Sequence, residues 1–205
     1  MLDYEDQYYN DQINYIVGID EAGRGPLCGP LVAAAVILKK GYKNEHINDS
    51  KKLTEKQREE VFLDIIKNAL AYSITYIDSN TIDKINIYNA TKLAMQQCIL
   101  KLKHKIDLVL TDAMPINNLN YEIIPIIKGD AKCECIAAAS IIAKVCRDRY
   151  MVEMSKKYPK YKLEKNKGYG TKEHLEAIKL YGPIRNFHRM TYAPLIQKNI
   201  QTKLF

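Results

Sequence analysis

A short apolar segment that ends in two adjacent carboxylates most constrains the fold of this chain. Tyr15-Ile-Val-Gly-Ile-Asp20 is typical of a buried strand, and Glu21 follows it directly. Consecutive strand residues point to opposite faces of a sheet, so both carboxylates can serve one site only if the chain leaves the strand there. Ala22-Gly-Arg-Gly-Pro26 permits such a departure, because glycine adopts turn conformations without steric cost.

Four more segments are predicted to be strands from their content of Val, Ile and Ala or from alternating polarity. They are residues 31–38, 71–77, 107–112 and 121–127, the last interrupted by Pro125.

The helical predictions begin with a capping box at Thr54 and Gln57, where the hydroxyl and the amide each satisfy a backbone donor. Apolar residues then recur at helical spacing, so this helix is expected to run to about Asn68. Further helices are predicted at 79–102, from Glu134 onwards, and at 171–180. This order of elements favours a mixed α/β sheet with helices packed on it and a helical C-terminal part.

The composition is that of a globular protein and not of a membrane or secreted one. Of the 205 residues, 47% are hydrophobic and 27% are charged. The longest apolar run, residues 27–38, is shorter than the roughly 20 residues of a membrane span. Residues 1–15 are polar, acidic and rich in tyrosine, unlike a secretory signal. We therefore expect a cytoplasmic protein.

The five cysteines are expected to be reduced and mostly buried. Only Cys133 and Cys135 are close in sequence, and no pair has the C-x-x-C spacing of a zinc or redox site.

The charge is unevenly distributed along the chain. The net charge is +7, yet residues 1–126 hold 14 Lys/Arg and 17 Asp/Glu, whereas residues 127–205 hold 17 and 7. An acidic half followed by a basic half suggests a metal-holding core beside a phosphate-binding surface. On charge alone, a lysine-rich solvated surface explains the pattern equally well.

Two more aspartates are placed to join Asp20 and Glu21. Asp112 ends a predicted strand, and Asp130 precedes the helix from Glu134. Ligands bind at the carboxyl edge of open α/β sheets, and clustered carboxylates need a cation to offset their repulsion. Oxygen ligands suit Mg²⁺ or Mn²⁺, and two such ions can hold a phosphodiester. Two structural alternatives stay open, namely a turn residue for Asp112 and a helix N-cap for Asp130.

Seven blocks of sequence occur in a characteristic order over roughly residues 15–195. They are Ile19-Asp-Glu-Ala-Gly-Arg-Gly-Pro-Leu-Cys-Gly-Pro30, Asp49-Ser-Lys-Lys-Leu-Thr54, Thr111-Asp-Ala-Met114, Gly129-Asp-Ala-Lys132, Ala137-Ala-Ala-Ser-Ile-Ile-Ala-Lys-Val145, Arg147-Asp-Arg149 and Lys167-Gly-Tyr-Gly-Thr171. With these blocks the chain closely resembles the type 2 ribonuclease H family, ribonuclease HII. Any one block can arise by chance, but all of them in order make chance a poor explanation.

The resemblance implies a ribonuclease H-like fold, with a five-stranded mixed sheet flanked by helices. It implies that Asp20, Glu21, Asp112 and Asp130 are catalytic and form a two-metal site for Mn²⁺ or Mg²⁺. The implied reaction is hydrolysis of the RNA strand of RNA/DNA hybrids and cutting on the 5′ side of ribonucleotides embedded in duplex DNA. It leaves 3′-hydroxyl and 5′-phosphate ends.

The resemblance also implies contacts with the substrate. Gly23-Arg24-Gly25 matches the family's sensor of the 2′-hydroxyl at the RNA–DNA junction, and Tyr169 matches a tyrosine that packs against the adjacent sugar. This chemistry is reasonable, because glycines allow close approach of the backbone and the 2′-hydroxyl distinguishes RNA from DNA. Weaker candidates for contacts with the nucleic-acid backbone are Ser50, Lys51, Lys144, Arg147 and Lys167.

Parts of the chain depart from the family pattern. Asn166 stands where the family often has histidine, and residues 182–189 match only loosely. We therefore assign no role to the four histidines, which are expected to be surface or core residues: His46, His104, His174 and His188. Residues 1–14 are predicted to be a flexible extension, and residues 15–205 a catalytic domain with a basic helical region from about 150 to 205. No obligate protein partner is evident, and a monomer is expected.

Two other functions are alternatives to this one. The type 3 ribonucleases H carry an extra N-terminal domain and typically a lysine in place of Arg24, and this chain has neither. A non-catalytic RNA/DNA hybrid-binding protein is the alternative from another class. The carboxylates argue against it, because a pure binder gains nothing from negative charge that faces phosphates.

Overall fold

The computed structural model describes residues 2–47 and 53–196, and a five-stranded mixed sheet forms its centre. The strands are β1 (Ile16–Ala22), β2 (Leu31–Leu38), β3 (Ala69–Ile77), β4 (Leu108–Asp112) and β5 (Ile123–Ile126). Their order is β3-β2-β1-β4-β5. β2 is antiparallel to both of its neighbours, β1 and β3, whereas β4 and β5 run parallel to β1. The predicted five-stranded mixed sheet is confirmed.

Helices cover both faces of this sheet. In the described ranges they are α1 (Glu55–Asn68), α2 (Ser79–Ile85), α3 (Ile87–Lys101), α4 (Glu134–Lys157), α5 (Leu163–Asn166) and α6 (Lys172–Tyr181). α4 packs across β1 and β2 with α1 beside it, and α3 packs on the opposite face. None of these helices is both long and apolar enough to span a membrane.

Gly18 lets α4 lie directly against the middle of β1. A Cβ at this position would lie 2.1 Å from the carbonyl carbon of Cys135 in the first turn of α4. Ala137, Ala138 and Ala139 on the same helix are completely buried. Because small residues face each other here, the helix backbone is fixed closely over the strand that carries Asp20.

The capping box at the start of α1 is confirmed. Thr54 Oγ1 accepts a 3.3 Å hydrogen bond from the amide of Gln57, and the Thr54 amide donates to Gln57 Oε1 at 3.0 Å. The helix predicted over 79–102 is wrong in one respect, since it is broken between α2 and α3. Asn86 adopts a φ of 66°, and its side chain accepts from the amide of Asn89, which ends one helix and caps the next.

The N-terminal residues correct the prediction of a flexible extension. Leu2 is buried, the amide of Tyr4 donates to the carbonyl of Lys132 at 3.1 Å, and residues 4–8 form a 3-10 helix. The buried Glu5 carboxylate accepts a 2.9 Å hydrogen bond from the amide of Cys135. This satisfies a donor in the first turn of α4, where the helix dipole also favours negative charge. Residues 2–14 thus belong to the folded domain.

The helical C-terminal part has a small core of its own. It is formed by buried residues from the segment after β1, from α4, α5 and α6, from the turn before α5 and from the chain after α6: Leu27, Cys28, Met151, Tyr161, Leu163, Ala177, Ile178, Phe187 and Leu195. The segment after β1 is therefore packed between the sheet and this second core. The five cysteines are unpaired and buried, as predicted.

Candidate active site

Asp20 and Asp112 lie side by side at the carboxyl edge of the sheet. Ile19 on β1 pairs with Thr111 on the parallel strand β4. The residues that follow them, Asp20 and Asp112, therefore lie at the same edge of the sheet. Asp20 is only 5% exposed. Burial raises the pKa of the Asp20 carboxyl well above its usual range, and the neighbouring Glu21 and Asp112 raise it further, while a hydrogen bond with Ser140 opposes the rise. The two aspartates thus share one crowded electrostatic environment.

Glu21 joins this environment without leaving the strand. We expected the chain to depart at Asp20, but β1 continues, with Glu21 paired to Ala33 and Ala22 to Val32. The departure comes two residues later because the antiparallel β2 keeps pairing to that point. Burial raises the pKa of Glu21, Asp112 adds to the rise, and Arg24 lowers it from 3.5 Å away.

One oxygen of Glu21 has an unusual environment. Glu21 Oε2 is buried and has no hydrogen-bond partner within the described part of the chain. A buried carboxylate oxygen without a partner is costly, and a bound cation removes that cost. The oxygen is therefore available as a metal ligand.

Asp130 lies in a turn that is held in place by Asp112. The amide of Gly129 donates a 2.8 Å hydrogen bond to Asp112 Oδ1, and residues 129–131 form a 3-10 helix. Asp130 is not the N-cap of α4, because Cys133 occupies that position. The alternative role as a helix cap is therefore excluded.

Two buried arginines bind the backbone of the segment that follows β1. Arg189, 0% exposed, donates to the carbonyl oxygens of Gly23 at 2.7 Å and Arg24 at 2.9 Å. Arg147, 1% exposed, donates to the carbonyl oxygens of Pro30 at 3.0 Å and Lys167 at 2.9 Å. The glycine-rich segment is therefore held rigidly beside the carboxylates.

The loop that carries Tyr169 is fixed by Asn166 from within. Asn166 Oδ1 accepts from the amide of Gly168 at 2.8 Å, and Asn166 Nδ2 donates to the carbonyl of Tyr161 at 2.7 Å. The Tyr169 side chain is half exposed, and a Cβ on Gly25 would lie 3.7 Å from its ring. The tyrosine and the glycine-rich segment thus form one surface.

This surface and the carboxylate edge open into one pocket. Its lining includes Glu21, Gly23, Ser140, Lys144 and Tyr169. An acidic centre, a backbone segment rich in glycine and an exposed aromatic ring therefore face the same space. Such a pocket suits a substrate that has both phosphates and sugars.

Comparison with known proteins decides what this arrangement belongs to. The family described as "Ribonuclease HII" matches residues 17–195. The chain belongs to the ribonuclease HII family. It is therefore a hydrolase, an endoribonuclease of the ribonuclease H type that acts on RNA/DNA hybrids.

Individual relatives agree with this assignment. "Ribonuclease HII" of Caldicellulosiruptor bescii is 53% identical over 191 residues, which are 93% of this chain and 92% of that protein. The crystal structure of the ribonuclease H2 from Pyrococcus horikoshii OT3 has a TM-score of 0.78 at 28% identity, over 92% of this chain and 99% of that one. The RNase HII of a PCNA complex from Archaeoglobus fulgidus has a TM-score of 0.72 at 27% identity, over 87% and 95%.

For the type 3 enzymes, the likeness that is shown is that of the fold. The Bst-RNase HIII structure with Mn²⁺ is 16% identical, with a TM-score of 0.69 over 95% of this chain and 72% of that one. The resemblance to ribonuclease HII, and not to the type 3 enzymes, is confirmed by the family match.

The weaker candidates for contacts with the nucleic-acid backbone differ in their surroundings. Ser50 and Lys51 lie outside the described residues. Lys144 lies in the pocket, with its ammonium 2.7 Å from Asp148. Lys167 has its ammonium on the carbonyl of Glu164 at 2.7 Å. The expected phosphate role of Arg147 is wrong, because its buried guanidinium is already bound to backbone carbonyls.

Sequence reasoning missed two residues of this site. Arg58 lines the pocket from α1 and donates to the carbonyl of Leu53 at 2.9 Å. Arg189 binds the glycine-rich segment from the far end of the chain. The sequence signal for Arg189 was its position next to His188 in the segment that matches the family loosely. That signal does not indicate which backbone groups the arginine binds.

Proposed function

We propose that this family member cuts on the 5′ side of single ribonucleotides embedded in duplex DNA, in addition to hydrolysing the RNA strand of hybrids. The supporting observation is that Glu21, Gly23 and Tyr169 line one pocket. A carboxylate centre for the phosphodiester thus adjoins a backbone segment and a ring that suit one sugar. The products would carry 3′-hydroxyl and 5′-phosphate ends.

The donor set fits divalent cations. Burial, and then the neighbouring Glu21 and Asp112, raise the pKa of Asp20. Burial and Asp112 also raise the pKa of Glu21, whose Oε2 is buried without a partner among the described residues. With Asp130, which lies in the turn bound to Asp112, these four carboxylates would hold two ions, Mg²⁺ or Mn²⁺. The bound ions would activate a water and offset charge on the departing oxygen. The protein contributes the crowded carboxylates and their fixed position at the sheet edge.

The glycine-rich segment would distinguish a ribose from a deoxyribose. Arg189 fixes the carbonyls of Gly23 and Arg24, so Gly25 and its neighbours meet a 2′-hydroxyl with a backbone that needs no rearrangement. A deoxyribose in the same place lacks the hydroxyl and would make fewer hydrogen bonds with this segment, and a site built to bond a hydroxyl rejects an analogue that lacks it. Tyr169 would pack against the adjacent sugar, and Lys144 would bind phosphate.

A cleavage assay on end-labelled duplexes tests this proposal. The substrates are a DNA duplex with one ribonucleotide, the same duplex without it, and an RNA/DNA hybrid, each with Mg²⁺, Mn²⁺ or a chelator. We expect a metal-dependent cut 5′ of the ribonucleotide and no cut in the all-DNA duplex. Binding of the first substrate with no metal-dependent cut would favour the non-catalytic hybrid-binding alternative.

The expected absence of an obligate partner stays a prediction. The Archaeoglobus fulgidus relative is described in a complex with PCNA. We propose that this chain needs no partner for cleavage itself. Light scattering of the purified chain under assay conditions would test this, because a monomer that cleaves at full rate meets the expectation and an inactive monomer contradicts it.

A further inference from the structure

Two buried histidines form a pair that the proposed chemistry does not use. His174 lies in the first turn of α6 and His188 in the segment after this helix, and their Nε2 atoms are 3.2 Å apart. Both side chains are almost completely buried. Tyr161 packs against both rings, at 6.3 Å and 5.6 Å between centroids.

The partners of the outer nitrogens fix where the protons lie. The amide of Ile184 donates to His188 Nδ1 at 2.8 Å, so this nitrogen accepts and the proton of His188 is on Nε2. His174 Nδ1 lies 2.8 Å from the carbonyl oxygen of Tyr169, which only accepts, so the proton of His174 is on Nδ1. His188 Nε2 therefore donates to His174 Nε2. The result is a directed chain from the Ile184 amide to the Tyr169 carbonyl.

Neither ring accommodates a second proton without loss of a bond. A proton on His174 Nε2 would face the donor of His188, and a proton on His188 Nδ1 would face the Ile184 amide. The pair is therefore neutral, in agreement with the effect of burial, which lowers the pKa of both rings.

The pair joins two segments of the proposed recognition surface. His188 pairs with Cys28 as an isolated bridge, and the next residue, Arg189, binds the carbonyls of Gly23 and Arg24. At the other end, the carbonyl of Tyr169 is the acceptor of the chain. The Gly23–Gly25 segment and Tyr169 are thus linked through the two imidazole rings.

We propose that the His188–His174 hydrogen-bonded pair is a positioning device that fixes Tyr169 relative to the Gly23–Gly25 segment for recognition of a single ribonucleotide. This inference rests on the substrate role proposed above for Tyr169. The histidines touch no substrate; they act through the tyrosine backbone.

A metal site is the competing explanation of the same cluster. Cys28, His174 and His188 offer ligand atoms that all lie within 4.8 Å of one another. The Ile184 amide opposes this, because it occupies His188 Nδ1 and leaves the proton on the nitrogen that a metal would need. Burial also raises the pKa of the Cys28 thiol to about 12, whereas a metal would need the thiolate.

Nitrogen-15 NMR of the histidine rings tests the pair independently of activity. Spectra at pH 7.5 of the wild type, His46→Gln and His104→Gln identify the signals of the two buried rings. We expect one ring protonated on Nδ1 and the other on Nε2, both unchanged by added Zn²⁺. Two identical tautomers, a charged ring, or a shift of both signals with one equivalent of Zn²⁺ would overturn the proposal, the last in favour of a metal site.

Kinetics then test the link to Tyr169. His174→Phe keeps a ring without the donor, whereas His174→Asn restores a donor close to the position of Nδ1. We expect His174→Phe to lower kcat/KM on a single-ribonucleotide duplex by about tenfold, equivalent to one lost hydrogen bond, with a smaller loss on a long hybrid. His174→Asn should recover most of the loss, and His104→Gln should show none.

A double-mutant cycle separates this inference from the proposed function. In a Tyr169→Ala background, His174→Phe should have almost no further effect on substrate preference, because the residues act as a unit. The positioning role would be overturned if the effects of Tyr169→Ala and His174→Phe on substrate preference simply add. It would also be overturned if His174→Phe alone lowers activity equally on both substrates. If Tyr169→Ala itself leaves the preference unchanged, the substrate role of Tyr169 fails instead, while the NMR result still decides the pair. His188→Asn, which retains an acceptor for the Ile184 amide, repeats the test if His174→Phe does not fold.

Discussion

Arg189 Nη2 donates a 2.7 Å hydrogen bond to the carbonyl oxygen of Gly23, across 166 residues of sequence. The same guanidinium donates to the carbonyl of Arg24, and Arg147 donates to that of Pro30. The glycine-rich segment beside the carboxylates is therefore positioned by buried arginines and does not depend on its own turn geometry alone. Burial of two guanidinium groups is tolerated because backbone carbonyls accept their protons.

Gly23→Ala should destabilise the fold and abolish recognition together. A Cβ would lie 2.2 Å from Arg147 Nε, and the residue has a φ of +100°. We expect a loss of about 2–4 kcal/mol in the free energy of unfolding, measured in urea. Gly41→Ala is the matched control, since Gly41 also has a positive φ but nothing lies within 4 Å of its Cβ position. Equal losses for the two variants would show that the contact with Arg147 does not matter.

Tyr169→Ala should change which substrate is preferred more than how fast a long hybrid is cut. The ring is 46% exposed and lies over Gly25, so it can contact a sugar without supporting the core. We expect discrimination between the single-ribonucleotide duplex and the long hybrid to fall by about tenfold. The ratio of the two kcat/KM values measures this, and an unchanged ratio contradicts the assignment.

Glu5→Ala should destabilise the domain by about 1–3 kcal/mol, because it leaves the Cys135 amide without its partner. Glu5→Gln should cost less, since the amide oxygen can still accept. Urea unfolding of the two variants measures the difference. No loss in Glu5→Ala would restore the view that the N-terminal residues do not belong to the domain.

The histidine pair should make stability fall as the pH drops below about 6.5. Burial, and then His174, lower the pKa of His188 to about 4. Between about pH 6.5 and 4 the unfolded chain binds a proton that the folded chain does not, so stability is full above this window and is lost on going down through it. The loss is of order 1–3 kcal/mol for this group.

The comparison with His188→Asn isolates that contribution. Asp20 and Glu21 titrate in the opposite sense, since their raised pKa values make protonation favour the folded state. Cys28 and Tyr161 face the pair, Arg147 and Arg189 lie beside Cys28, and all four are present in both proteins. Urea unfolding at pH 7.5 and pH 5 should show a smaller decrease for the variant. An equal decrease would contradict a neutral buried pair.

Local patterns predicted much of the fold. β2 and α1 lie where apolar content and the capping box placed them, because both signals are local in sequence. The break at Asn86 was missed, since the periodicity of apolar residues continues through it and only the left-handed backbone of that residue divides the helices. The packing of Leu2 and Glu5 was missed because it depends on α4, more than a hundred residues away.

The site was predictable to the extent that its residues carry charge at strand ends. Asp20 and Asp112 lie close together because each lies near the carboxyl end of its strand and the two strands are parallel neighbours, so both carboxyl ends lie at one edge of the sheet. The contributions of Arg147 and Arg189 were not predictable, because an arginine in a sequence favours the surface and its burial depends on carbonyls from a distant segment. His174 and His188 were expected to be surface or core residues, and the structure places both in the core.

We propose that the carboxylates at the sheet edge perform the cut while other residues bind the duplex. Asp20→Asn tests it most directly, with cleavage of a single-ribonucleotide duplex and its Kd measured on the same protein in Mn²⁺. We predict that cleavage falls by at least about a hundredfold and that the Kd changes by less than about threefold. Cleavage at the wild-type rate, or an equal loss of binding and cleavage in a folded variant, would contradict the account.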